Sequence, residues 1–156
     1  MNSRLLAIKI TGRSATAAIY FGRELHYTEV RQLASDLTQA KDSLISFCSS
    51  LIEHFRVDTS VSEKPAADTR AQAMAASLLD LLRERAIPHW AIAKAELLAA
   101  YGETPLKSTH ELRVVVRDYW PHIIDERDDS TCLDAAALGL YLQTERMLSD
   151  NSPAPS

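Results

Sequence analysis

A lysine lies in the middle of the first apolar stretch of the chain. Lys9 belongs to the sequence LLAIKITG at residues 5–12, an otherwise uncharged run that ends in a glycine. A buried strand that ends in a glycine turn presents a polar side chain to a site at its end, and ligands of mixed sheets bind at such strand ends. Here that side chain is a cation, and its identity decides what chemistry the site can perform.

A second group of residues with possible chemistry is basic. Five side chains fall on two consecutive predicted helices: Lys94, Lys107, His110, Arg113 and Arg117. A basic strip of this kind contacts phosphates and supplies sequence-independent affinity for nucleic acid. An amphipathic helix with an ordinary charged face gives the same pattern, and both interpretations stay open.

Four acidic residues lie close together further along the chain: Asp125, Glu126, Asp128 and Asp129. Carboxylates are the ligands that Mg²⁺ prefers, so this group could supply a metal ligand. A solvated loop whose last residue caps the next helix explains the same residues, and we favour that interpretation. The five histidines have no paired spacing suited to zinc and are interpreted as surface or hydrogen-bonded core residues.

The bulk composition is that of a water-soluble globular domain. The 156 residues suffice for one domain, which we place at residues 1–148, with a polar, disordered tail at 149–156. The net charge of −4 gives no global attraction for nucleic acid. No apolar run approaches the roughly 20 residues of a membrane helix, and no signal segment is seen, so no membrane association is expected. Cys48 and Cys132 fit no metal spacing and indicate a reduced, cytoplasmic setting.

The elements that position these residues follow from hydrophobic periodicity. Apolar and alternating runs predict strands at residues 5–10, 15–21, 24–30, 57–63 and 89–93. In the third strand, Leu25 and Tyr27 alternate with His26 and Thr28 and are expected on one face. The first three strands are joined by short turns and form an antiparallel meander, and the fourth, which returns after a helix, pairs parallel to the first.

Helical periodicity predicts five helices between and after these strands. The first begins near Ser35 or Asp36, and the others span residues 69–85, 94–101, 107–119 and 130–148. The last helix has a stripe of small residues suited to close packing against a sheet. The sequence therefore predicts an α/β fold with a mixed five-stranded sheet, three antiparallel strands followed by parallel ones, and helices on both faces.

This order of elements resembles the ribonuclease H-like fold, and the residue pattern is most similar to that of the RuvC-type Holliday junction resolvases. The resemblance runs from about residue 5 to residue 142 through short motifs. In that family, an acid on the first strand, a Glu ending the fourth and two Asp three residues apart on the last helix bind two Mg²⁺ ions, which cleave a phosphodiester. The resemblance implies branched DNA as a partner, and a homodimer.

Three residues match the family pattern. Glu63, in VSEKP, is at the position of the fourth-strand Glu, and Asp134, in CLDAAALGL, is at that of the second helical Asp. Lys107, followed by Ser108, matches a lysine that contacts phosphate near the reaction. The resemblance therefore implies Glu63, Asp134 and Lys107 as catalytic residues, and the two acids as metal ligands if the protein is active.

Four positions depart from that pattern. Lys9 is at the place of the first-strand Asp, Thr131 at that of the first helical Asp, Ile10 and Thr11 at that of a proline, and Ala66 at that of an aromatic wedge. A cation about 4 Å from a metal position opposes binding by several kcal/mol. We expect Lys9 instead to pair with Glu63 and Asp134, although each of these residues taken singly is explained by an ordinary structural role.

Four functions are weighed. The first is a RuvC-like protein with a degenerate site, which binds DNA or a protein partner without efficient cleavage and has no cofactor. The second is an active structure-specific endonuclease that requires Mg²⁺ or Mn²⁺, with the acidic loop replacing the missing ligands. The third is a protein-interaction scaffold, and the fourth, a kinase or ATPase of the related sugar-kinase fold, is disfavoured because no phosphate loop is present. We favour the first.

Overall fold

One mixed sheet of five strands organises the molecule. The computed structural model describes residues 3–65, 68–100, 113, 114, 116 and 130–143. The strands are β1 (Arg4–Ile10), β2 (Ser14–Phe21), β3 (Glu24–Gln32), β4 (Thr59–Glu63) and β5 (His89–Ile92). Their order across the sheet is β3-β2-β1-β4-β5. β1, β2 and β3 pair antiparallel, and β4 pairs parallel with both β1 and β5. The predicted α/β architecture is confirmed.

The third strand differs from the prediction at one residue. Ile19 is opposite Tyr27, and the next residue, Tyr20, is opposite Leu25, so His26 is an extra residue in β3. Such a bulge turns the following side chains to the other face of the sheet. Leu25 accordingly belongs to one core and Tyr27 packs against the other, and the expectation that they share a face was wrong.

Four described helices accompany the sheet: α1 (Leu37–Phe55), α2 (Thr69–Glu84), α3 (Lys94–Ala99) and α4 (Ser130–Tyr141). The side chain of Asp36 caps α1 by accepting a hydrogen bond from the backbone of Gln39 at 2.9 Å, as expected from its residue type. Asp68 caps α2 in the same way. In the described part of the chain no helix is long and apolar enough to cross a membrane.

The helices cover both faces of the sheet, and each face has its own core. On one face, Leu6, Ile8 and their neighbours pack beneath α1 and α2. On the other face, Leu5, Ala7 and their neighbours pack beneath α3 and α4. This division follows from β-strand alternation, which sends successive side chains to opposite faces.

The packing of α4 on the sheet is unusually close. All members of the predicted small-residue stripe are buried: Leu133, Ala136, Ala137, Leu140 and Tyr141. The hydroxyl of Tyr20, from β2, donates a 2.6 Å hydrogen bond to the carbonyl of Ala136. A Cβ atom added to Gly139 would lie 2.2 Å from the Tyr20 ring. The absence of a side chain at Gly139 therefore leaves room for the Tyr20 ring between α4 and the sheet.

Several predicted features lie outside the described residues. These are the acidic loop at 121–129, the tail at 149–156, most of the predicted helix at 107–119, and the wedge position at Ala66. Of that helix, Arg113, Val114 and Val116 are described, and they are helical. Cys48 and Cys132 are both buried, and burial raises the pKa of the Cys48 thiol to about 12.

Candidate functional site

Strand register brings Lys9 and Glu63 together at one end of the sheet. The last parallel pair between β1 and β4 is Ile8 with Ser62, so the next residue of each strand lies at the adjacent strand end. Lys9 alternates with Leu5 and Ala7 and therefore projects to the α4 face of the sheet. Glu63, two residues beyond the buried Val61, projects to the same face.

The two side chains form an ion pair. The Lys9 Nζ atom lies 2.8 Å from Glu63 Oε2, and the two side chains are 17% and 20% exposed. A charge-assisted hydrogen bond at this distance, largely shielded from solvent, is stronger than one between neutral groups. The ammonium is thus held at the end of β1 by the acid at the end of β4.

Asp134 is bound by a second cation. From the first turns of α4 its carboxylate accepts hydrogen bonds from Arg113, at 2.9 Å from Nε to Oδ1 and 2.7 Å from Nη2 to Oδ2. This two-point geometry matches the planar guanidinium to the planar carboxylate. The Asp134 side chain is only 7% exposed and that of Arg113 is 30% exposed.

The structure thus shows two separate ion pairs where the sequence predicted one lysine between two acids. Lys9 was expected to pair with both Glu63 and Asp134, and its ion pair is with Glu63. The ion pair of Asp134 is with Arg113, a member of the predicted basic strip. Thr131, at the position of the first helical Asp, is the second residue of α4. Each of the two acids named as catalytic therefore has its own cation.

These residues do not fit a divalent metal ion. Among the described residues, the two acids that match the family pattern are Glu63 and Asp134, and a metal ion bound to them would have to displace an ammonium from the first and a guanidinium from the second. Within the residues that the structure describes, no group of three His, Cys, Asp or Glu side chains is arranged to hold a metal ion. The donor set is that of two neutralised acids.

A cavity of about 200 Å³ adjoins the Lys9–Glu63 pair. It is lined by the ends of β1 and β4, by the segment at 64–65 and by the first turns of α2. Its lining includes both members of the pair and a second lysine, Lys64. The strand end that the sequence singled out therefore opens onto a concave surface.

The predicted basic strip is described only in part. Lys94 is exposed and is the first residue of α3, and Arg113 is the partner of Asp134. The other three members, Lys107, His110 and Arg117, lie outside the described residues. The role of all five in binding nucleic acid stays a prediction.

A buried histidine lies on the opposite face of the sheet. His89, at the start of β5, is hydrogen bonded through Nδ1 to Ser60 at 2.8 Å and through Nε2 to Ser62 at 3.0 Å. Since the Ser60 hydroxyl donates to the carbonyl of Pro88, it accepts from Nδ1–H, and Ser62 donates to Nε2. Burial lowers the pKa of His89 to about 4. His89 is thus a hydrogen-bonded core histidine, which is one of the two interpretations that the sequence analysis left open for the five histidines.

A further cation that the sequence pattern did not single out is Arg70, in the first turn of α2. Its guanidinium donates to three backbone carbonyls, those of Gly12, Ala34 and Ser35. A signal existed, because a cation is disfavoured at the positive end of a helix and needs a compensating partner there. Arg70 thereby joins the first turn of α2 to the β1–β2 turn and to the segment before α1.

Comparison with known proteins gives matches in structure only. No family model matches the chain, and no curated protein matches it in sequence. The RuvC structure of Thermus thermophilus aligns over 97% of this chain and 99% of its own, with a TM-score of 0.79 and 13% identity. The same protein in complex with a Holliday junction substrate aligns with a TM-score of 0.78 and 12% identity over the same shares.

The yeast mitochondrial Holliday junction resolvase is also similar. It aligns over 88% of this chain and 75% of its own, with a TM-score of 0.60 and 16% identity. The strand order β3-β2-β1-β4-β5 and these three alignments indicate the same fold. The chain has the ribonuclease H-like fold. Within that fold, the ends of β1 and β4 and the start of α4 are where Lys9, Glu63 and Asp134 lie.

Proposed function

We propose that this chain is a RuvC-like protein that binds branched DNA without cleaving it efficiently. The observation that carries the proposal is that Glu63 and Asp134, the two acids that match the family pattern, are each paired with a cation of the chain itself. The acids and the cations together make a site that is close to neutral. Such a site has the fold of a nuclease cleft, but its acids need no metal ion to balance their charge.

The electrostatic cost supports this proposal. Two unit charges 4 Å apart interact by about 4 kcal/mol at an effective dielectric constant of 20, so a divalent ion beside an ammonium is disfavoured by about 8 kcal/mol. The Lys9 ammonium is 2.8 Å from the Glu63 carboxylate, so a metal bound by that carboxylate would lie within a few ångströms of it. Expelling the ammonium would forfeit its hydrogen bond as well.

A lysine or arginine also lacks the chemistry that hydrolysis needs. Nucleases of this type depend on an ion that lowers the pKa of a bound water and stabilises a leaving oxygen. An ammonium neutralises an acid and donates hydrogen bonds, but it has no open coordination position for water. Lys9 and Arg113 therefore replace the charge of a metal without replacing its reactivity.

The choice of DNA as the partner rests on the structural neighbours. RuvC of Thermus thermophilus, which aligns with nearly the whole of this chain, has a structure in complex with a Holliday junction substrate. We extend that ligand class to this chain as part of the proposal. The expected homodimer and the contacts of Lys94, Lys107, His110 and Arg117 with phosphate belong to the same proposal.

An assay with a labelled four-way DNA junction tests both halves of the proposal. In an electrophoretic shift we expect binding that weakens as salt is raised, because phosphate contacts release counterions. Under the same conditions with Mg²⁺ or Mn²⁺ we expect no nicked product. Metal-dependent nicking that disappears in Asp134→Asn would overturn the proposal in favour of an active endonuclease.

A substitution at Lys9 tests the charge argument directly. Lys9→Asp places a second carboxylate beside Glu63, and we expect it to bind Mn²⁺ in titration calorimetry, because the metal relieves the repulsion between the two acids. The matched control is Lys9→Met, which removes the cation without adding an acid and is expected to bind no Mn²⁺. If Lys9→Asp folds normally and takes up no metal, the inferred site geometry is wrong.

A further inference from the structure

A larger groove lies next to the Lys9–Glu63 cavity. Its volume is about 620 Å³, and it is lined by Gly12 and Arg13 of the β1–β2 turn, by residues 32–35 between β3 and α1, and by Arg70 of α2. Gly12 also lines the smaller cavity beside Lys9, so the two concave surfaces adjoin at this glycine.

Arg70 fixes the walls of this groove. Its Nε atom is 2.9 Å from the carbonyl oxygen of Gly12, and its two Nη atoms lie 2.9 Å and 2.6 Å from the carbonyl oxygens of Ser35 and Ala34. One side chain of α2 thus joins the β1–β2 turn to the segment that leads into α1. The partners are carbonyl dipoles, which orient the guanidinium without neutralising its charge.

Arg13 adds a second cation at the mouth of the groove. It is exposed in the β1–β2 turn, and its backbone is fixed by a hydrogen bond from its N–H to the Thr11 hydroxyl at 3.3 Å. Among the residues that the structure describes, neither Arg13 nor Arg70 forms an ion pair with a carboxylate. The groove lining contains two guanidinium groups, an amide and a hydroxyl, and no acid.

We propose that this groove binds the phosphodiester backbone of a nucleic-acid strand, with Arg13 as the direct phosphate contact and Arg70 as the positioning residue. The inference rests on the proposed function, whose ligand it shares. It adds a binding surface beyond the last residue of β1, at the β1–β2 turn. A guanidinium matches phosphate oxygens with two parallel hydrogen bonds. The groove, at about 620 Å³, is far larger than one phosphate ion, and it adjoins the Lys9 cavity at Gly12, which suits a strand that passes over both.

The chain offers a matched control for this proposal. Arg23 is also an exposed arginine in a two-strand turn, but it belongs to the β2–β3 turn at the other end of the sheet. Arg13→Gln and Arg23→Gln change the net charge equally, so a difference between them reports position and not total charge. Both positions are exposed turns, where such a change leaves folding intact.

The experiment measures fluorescence anisotropy of a labelled four-way DNA junction between 50 and 200 mM salt. We expect Arg13→Gln to weaken binding about fivefold or more, and to reduce the slope of log affinity against log salt by about 0.9, the value of one phosphate contact. Arg23→Gln is expected to bind as the wild type does. Millimolar inorganic phosphate is expected not to compete beyond its effect as a salt.

The outcomes separate this inference from the proposed function. If the wild type binds the junction and the two variants weaken equally, the groove inference is wrong while the proposed function stands. If the wild type binds no DNA, both are overturned. If inorganic phosphate competes specifically, so that chloride at equal ionic strength does not, the groove holds a small anion and the strand assignment is wrong.

Discussion

The ionisable side chains of the candidate site and the buried histidine on the other face of the sheet are held in opposite ways. On the α4 face they are charged and paired, Lys9 with Glu63 and Arg113 with Asp134. On the α2 side of the same strands, His89 is uncharged and hydrogen bonded to two serine hydroxyls. Burying a charge requires a partner of opposite charge, whereas burying a neutral polar group requires only hydrogen bonds.

This difference predicts how each face responds to a lost partner. On the α4 face, removing one member of an ion pair leaves the other member as an unpaired charge, which burial destabilises. On the α2 side, adding a proton to His89 turns a neutral hydrogen-bond network into a charged one. The α4 face is therefore expected to be sensitive to substitution of its cations. The α2 face is expected to be sensitive to pH.

The largest expected effect is a loss of stability on acidification caused by His89. Its folded pKa of about 4 lies below the ordinary 6.5, so the unfolded chain binds the proton first. The contribution of neutral His89 to the free energy of unfolding is fully present above pH 6.5. It is lost as the pH falls from there through the folded pKa, by about 3 kcal/mol in all. Urea unfolding between pH 7.5 and 4 measures it.

His89→Gln is expected to flatten this pH dependence relative to the wild type. The matched control is His54→Gln, at an exposed position near the end of α1, which should leave the dependence unchanged. If His89→Gln keeps the full wild-type dependence, the neutral network on the α2 side does not govern acid stability, and the contrast between the two faces fails.

The next largest effect is expected from the cation of the more buried acid. Arg113→Met leaves the nearly buried Asp134 carboxylate without its guanidinium, and we expect the free energy of unfolding to fall by roughly 2 to 3 kcal/mol. Lys9→Met, whose partner Glu63 is 20% exposed, should cost about 1 kcal/mol or less. Urea denaturation of the two variants compares them, and equal losses would contradict the ranking by burial.

A further effect, smaller than that of Arg113→Met, tests how closely α4 packs on its face. Gly139→Ala drives a methyl group into the Tyr20 ring, and we expect a loss of about 2 kcal/mol after the roughly 1 kcal/mol that alanine gains in a helix. Gly12→Ala is the control, because nothing lies within 4 Å of its added Cβ. A Gly139→Ala variant as stable as the wild type would show that α4 can shift away from the sheet.

The strand pattern of the sequence was sufficient for the architecture and for one half of the candidate site. Apolar runs and short turns predicted the five strands and the parallel return of β4, and these determine that Lys9 and Glu63 end neighbouring strands. Periodicity places both residues at the ends of their strands, and the resemblance to the resolvases assigns the two positions to one site. That is why the Lys9–Glu63 contact could be anticipated.

The tertiary structure alone decided the rest. The partner of Asp134 is Arg113, 21 residues away on another helix, and no periodicity of either helix specifies which cation reaches that acid. The bulge at His26, which sends Leu25 and Tyr27 to different cores, is likewise absent from the alternating pattern. The sequence by itself determined which residues lie on which strand or helix, because local spacing sets those positions. Which side chains meet across elements was settled only by how the helices dock on the sheet, since docking depends on the fit of all the packed surfaces at once.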